Sequence, residues 1–169
     1  LRTFKLRPHD PGALCTKLAL VTFDPNAPGD KWKSHIERFL PSPNVRRQVQ
    51  RDLGQALPGV VLEESLPIWY GTGANGKTTT TRALLEVLGD YADRAAPNLL
   101  VQGKYERHPT EVAELCGLRL AVSVEVDQGK HLAEALVKEL TGGDRKKARF
   151  MRQDFFSFEQ TFSLVLIVN

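Results

Sequence analysis

Gly71-Thr72-Gly73-Ala74-Asn75-Gly76-Lys77-Thr78 is the stretch on which the reading of this chain turns, because it satisfies G-x-x-x-x-G-K-[ST] at every fixed position. Glycines let a backbone wrap close to an anion, so that successive N–H groups and the start of the following helix point at phosphate oxygens. In such a loop Lys77 reaches the β and γ oxygens of a nucleoside triphosphate, and the Thr78 hydroxyl ligates Mg²⁺. A glycine turn with an exposed lysine is the plainer alternative. The flanks argue against it: residues 66–70 read as a compact apolar strand and residues 77–88 as a helix, which is where the motif has to sit.

Hydrolysis needs an acid near the metal, expected at the carboxyl end of a strand adjacent in the sheet, and a group that handles the attacking water. Residues 118–124 read as a strand with Glu125 and Asp127 at its end. Residues 162–168 read as a strand buried on both faces, closed by the amide Asn169, which can hydrogen-bond a γ-phosphate oxygen or a water. Lys77, Glu125, Asp127 and Asn169 are thus the catalytic candidates, with Thr78 and Glu125 as metal ligands. A short strand near 99–102 and helices over 109–116 and 130–140 complete an alternation of strand and helix. That alternation predicts an α/β fold with a mostly parallel sheet covered on both faces.

Upstream the texture differs. Residues 1–8 suggest a short edge strand before the turn signal His9-Asp10-Pro11-Gly12. Asp30 is expected to cap a helix with the apolar stripe Trp32, Ile36, Phe39 and Leu40. Ser42-Pro43 opens a second helix carrying Val45, Val49, Leu53 and Leu57, which stops at Pro58-Gly59. Residues 1–62 read as a small helical preface with no chemical constellation of its own, and residues 63–169 as the nucleotide-binding core.

Between the two acid- and amide-bearing strands, Arg145, Lys146, Lys147, Arg149 and Arg152 fall within one short window, with Phe150, Phe155, Phe156 and Phe158 interleaved. Cations mixed with aromatic faces bind single strands without reading sequence. The alternative is a solvated hairpin whose phenylalanines enter the core.

With 41% apolar and 25% charged residues, the 169-residue chain falls in the range of one soluble globular domain, and its net charge of +3 permits a polyanionic partner without demanding one. No run approaches the ~20 apolar residues of a membrane span, so a cytoplasmic chain is expected. Cys15 and Cys116 form no CxxC pair and are expected to be buried, reduced thiols. The chain begins at Leu1, its sole methionine is Met151, and it stops on an apolar run, so it is expected to be a fragment.

The pattern resembles the superfamily 3 helicases, specifically the phage and plasmid primase-helicases. The resemblance rests on Lys17-Leu18-Ala19, Phe23-Asp24-Pro25-Asn26-Ala27 and Leu53-Gly54-Gln55-Ala56-Leu57 in the preface, then Tyr70 with the glycine loop, and Leu88-Gly89-Asp90-Tyr91-Ala92. It extends through Leu132-Ala133-Glu134-Ala135-Leu136-Val137-Lys138-Glu139-Leu140-Thr141-Gly142-Gly143-Asp144 to Arg149, Phe158 and the strand ending at Asn169. It implies an AAA+-like core that assembles into a ring, usually a hexamer, around single-stranded DNA. Glu125 then resembles the Walker B acid, Asn169 the sensor asparagine, and residues 138–149, including Lys138, the DNA-contacting region. Val124 stands where the family more often has a small polar residue, and Asp127 where it more often has Glu; its arginine finger lies beyond the asparagine, and nothing here matches a primase region.

The expected function is an ATP-dependent DNA helicase motor that uses ATP and Mg²⁺ and translocates on single-stranded DNA, this fragment alone being inactive in unwinding. Two other readings stay open. Gly73-Ala74-Asn75-Gly76-Lys77-Thr78-Thr79-Thr80-Thr81 also looks like the loop of the cell-wall amino-acid ligases, and a non-catalytic ring-assembly or DNA-binding remnant would keep the same residues.

Overall fold

The computed structural model describes residues 7–97, 99–103, 109–124 and 131–168. Two helices come first. α1 (Asp30–Phe39) carries the predicted apolar stripe, but Gly29 rather than Asp30 takes the cap position. Asp30 sits in the first turn, where its carboxylate favours the helix dipole. α2 (Pro43–Ala56) starts as predicted, with Ser42 extended at the cap and Pro43 fixing the first helical φ, although the serine side chain makes no capping bond.

The strand expected over 66–70 forms only at β1 (Ile68–Tyr70), and α3 (Lys77–Leu88) has the predicted bounds. A strand that the sequence did not announce, β2 (Ala92–Arg94), follows a short 3-10 turn. The strand expected near 99–102 reduces to a single antiparallel bridge, Val101 to Leu132, while Leu99 and Leu100 are fully buried. α4 (Pro109–Ala113) is shorter than the helix expected over 109–116, because Leu115 and Cys116 donate instead to Val112 and Ala113 in tighter turns. β3 (Leu120–Val124), α5 (Glu134–Thr141), a hairpin of β4 (Lys146–Ala148) with β5 (Phe156–Phe158), and β6 (Ser163–Val168) complete the order.

The main sheet runs β1-β6-β3-β2 and all its pairs are parallel. Period-two alternation sends Leu164, Leu166 and Val168 to one face and Val165 and Ile167 to the other. The first face packs on Leu136, Val137 and Leu140 of α5, on Val112 and Ala113 of α4, and on Leu99, Leu100, Phe158 and Phe162. The second packs on Leu84, Leu85 and Leu88 of α3 and on Leu53 and Ala56 of α2. Full burial of each such Leu or Val contributes ~1.5–3 kcal/mol, and both layers draw on it. The preface therefore shares the core's second face. The architecture is the predicted α/β one, a parallel sheet covered on both sides. No described helix is long and apolar enough to cross a membrane.

Candidate functional site

Tyr70 ends β1 and Lys77 opens α3, so the glycine loop joins the carboxyl end of a strand to the amino end of a helix. Gly73 (φ +97°) and Gly76 (φ +77°) take left-handed backbone that side chains disfavour, and Ala74 adopts it at φ +48°. The first-turn N–H groups of α3 lack helical acceptors and open toward the loop. A Cβ on Gly71 would lie 1.7 Å from the Asn75 amide nitrogen, so a side chain there would push the Asn75 amide out of its present place beside Lys77. The Lys77 ammonium donates to the Gly71 carbonyl at 2.6 Å and to Asn75 Oδ1 at 3.0 Å, which holds the cation in the mouth of the loop.

One predicted relationship is corrected. The strand leading to Glu125 is not beside β1: β6 lies between β1 and β3, pairing Tyr70 with Val168 on one side and Val124 with Ile167 on the other. A small cleft nevertheless joins the loop to both strand ends, lined by Lys77, Thr78, Thr81, Val122, Val124 and Ile167. Thr78 is exposed beside it. Glu125, Asp127 and Asn169 lie outside the described residues; the chain positions before them, Val124 and Val168, end β3 and β6.

Arg94 lines the same cleft from the end of β2. Sequence reasoning missed it because the strand that carries it is three residues long and mostly exposed. The preface supplies two further neighbours. His35 Nε2 and Thr80 Oγ1 are 2.9 Å apart, and a Cβ on Gly76 would meet the Phe39 ring at 2.5 Å. An apolar stripe alone predicts burial, not the partner it is buried against.

The basic window forms the β4–β5 hairpin, and its cations divide. Lys146, expected to contact DNA, is only 2% exposed and donates its ammonium hydrogens to the Glu139 carbonyl, so it is removed from the contact set. That carbonyl belongs to the last turn of α5, where helical donors run out, and Gln160 similarly donates to the Leu140 carbonyl at 2.8 Å. Lys146 and Gln160 thereby fasten the hairpin to α5. Lys147 and Arg149 are exposed over the Phe155 ring, at 5.3 Å and 4.8 Å from its centroid. Arg145 pairs with Glu159 at 3.7 Å on open surface, a contact of small energetic weight, and Lys138 and Arg152 are exposed. The phenylalanines divide too: Phe158 enters the core, Phe156 packs against it, and Phe150 and Phe155 face solvent.

No protein-family profile matches the chain. It is 27% identical over 168 residues to the "Putative helicase L207/L206" of Acanthamoeba polyphaga mimivirus, which covers 96% of this chain and 17% of that protein. It is 27% identical over 158 residues to the "Putative primase C962R" of African swine fever virus, covering 91% of this chain and 16% of that one. The "Putative helicase 022R" of Frog virus 3 is 27% identical over 152 residues, 86% of this chain and 16% of that protein. The chain thus spans about one sixth of these relatives. Among solved structures, the A form apo structure of the NrS-1 C terminal region superposes with a TM-score of 0.66 at 9% identity, over 88% of this chain and 34% of that one. An apo structure of NrS-1 residues 305–718 gives 0.66 at 9% identity, over 88% and 35%. At that identity the likeness is one of fold.

Proposed function

Starting from its homology to large-DNA-virus proteins that carry the names helicase and primase, we propose that this chain is the ATP-hydrolysing motor segment of a replication helicase that moves along single-stranded DNA. One observation carries the reading. The glycine loop, with Lys77 held in its mouth, opens on a cleft shared with the ends of two parallel strands, and the chain continues from those ends into Glu125 and Asn169.

In this reading residues 71–78 wrap the triphosphate with backbone N–H groups, and Lys77 leaves its loop acceptors for the β and γ oxygens. Thr78, whose hydroxyl is exposed beside the cleft, and Glu125 would hold Mg²⁺, which would draw negative charge off those oxygens. Glu125 and Asp127 position or deprotonate the attacking water, and Asn169 hydrogen-bonds the terminal phosphate or that water. Arg94 adds positive charge where the γ-phosphate loses its bond. Lys147, Arg149 and Phe155 engage phosphates and bases of the strand, with Lys138, Arg145 and Arg152 adding long-range attraction. Copies of the parent protein form a ring, usually a hexamer, in which a neighbour supplies the arginine that raises turnover by ~10³–10⁵.

The test is phosphate release from ATP by the parent protein with and without single-stranded DNA. DNA stimulation that Lys77→Ala abolishes supports the motor. Release stimulated by amino acids instead would select the ligase reading, and DNA binding without any release would select the non-catalytic one.

A further inference from the structure

The cradle has a neighbour that the phosphates alone do not need. A cavity of about 560 Å³ lies between the preface and β1, within the ~300–1,000 Å³ span of small-molecule pockets. Ile36, Phe39 and Leu40 of α1 line it, with Val45, Gln48, Val49 and Asp52 from one stripe of α2 and Ile68, Trp69 and Tyr70 of β1. Its walls follow the course of β1. Glu63, Ser65 and Pro67 come before that strand, Asn75 and Lys77 after it, and all of them line the cavity.

The cavity is therefore polarised: an ammonium and a helix amino terminus stand at one end, the carboxylates of Asp52 and Glu63 toward the other, and aromatic and aliphatic side chains between. A triphosphate can occupy the first end alone, since the second repels it. The middle offers the faces of Phe39, Trp69 and Tyr70, surfaces on which a planar ring stacks. The indole N–H of Trp69 is buried and meets no acceptor among the described residues.

We infer that this cavity takes the base and ribose of the nucleotide, so that the preface, which the sequence left without a chemical task, forms the nucleoside half of the site. Phe39, already against Gly76 of the loop, brings an aromatic ring to the phosphate end. The carboxylates at the far end accept from exocyclic amino or ribose hydroxyl groups. This rests on the phosphate-cradle reading above and goes beyond it by assigning the base.

The experiment compares ATP with inorganic tripolyphosphate, both with Mg²⁺, by calorimetric titration of the full chain. Wild type should bind ATP roughly tenfold or more tighter than tripolyphosphate, the part of the affinity that stacking supplies. Val49→Trp fills the cavity from α2 and should bring ATP down to the tripolyphosphate affinity while leaving the latter unchanged. Val45→Trp, at a position already 46% exposed, repeats the test should the first variant fold poorly. Equal affinities in wild type, or ATP affinity untouched in a folded variant, overturn the base assignment and leave the cradle standing. Failure of wild type to bind either ligand overturns the cradle and the pocket with it.

Discussion

The ring of Phe39 occupies the space that a side chain on Gly76 would need, 2.5 Å from where its Cβ would stand. A residue of the first helix thus completes the packing of a loop nearly forty positions later. Gly76→Ala must therefore displace the ring and also hold alanine at φ +77°. We expect a loss of ~1–3 kcal/mol in urea unfolding. Adding Phe39→Ala should recover the steric part only, so the double variant should be less unstable than the sum of the two single variants. Strict additivity would mean that the ring and the loop do not meet in solution.

The hairpin cations should separate in a salt titration. Removing Lys147 and Arg149 together should lower the slope of log affinity against log salt for oligothymidylate by about 1.4, from ~0.7 per single-strand phosphate contact. Lys146→Met should leave that slope alone and instead destabilise the fold by ~1–3 kcal/mol, because the last-turn carbonyl of Glu139 loses its donor. The opposite pattern would return Lys146 to the DNA.

Arg94 reaches the cleft without helping to form the loop. Arg94→Ala should slow phosphate release at saturating ATP on the order of tenfold while changing ATP affinity far less, as expected of charge that acts mainly as the terminal phosphate departs. Unaltered turnover would leave this arginine a surface residue.

The two free thiols should differ in reactivity. Cys15 is exposed, contrary to the expectation of burial, whereas Cys116 is half-buried. Burial raises the Cys116 thiol pKa, and the nearby Lys17 ammonium opposes that rise only in part. Iodoacetamide at mildly alkaline pH should label Cys15 first, read out by peptide mass spectrometry. The sign for stability follows: the Cys116 contribution is whole below the ordinary thiol pKa and is lost as pH climbs through the raised one. Faster labelling of Cys116 would contradict its burial.

Local chemistry was legible in the sequence where spacing alone carries it. The bounds of α3 and the loop before it follow from glycines, a lysine and an apolar run, and the second helix of the preface follows from proline and a fourfold repeat. Strand order was not legible, because no residue in β3 or β6 records which of them lies beside β1. Nor was β2, since three residues with one buried side chain carry too little periodicity. Lys146 misled for a related reason: a cation in a basic run looks solvated until its neighbours across space are known.

The insertion of β6 between β1 and β3 also sets an order of events during folding. Ile68 pairs with Leu166, so β1, the strand that leads into the glycine loop, finds this neighbour only after 98 further residues have been made. At ~5–20 residues per second a nascent chain would carry the complete glycine loop for roughly 5–20 s before its sheet could close. Through that interval apolar strand edges stay open to chaperones or to one another, so nucleotide competence should arrive late and all at once.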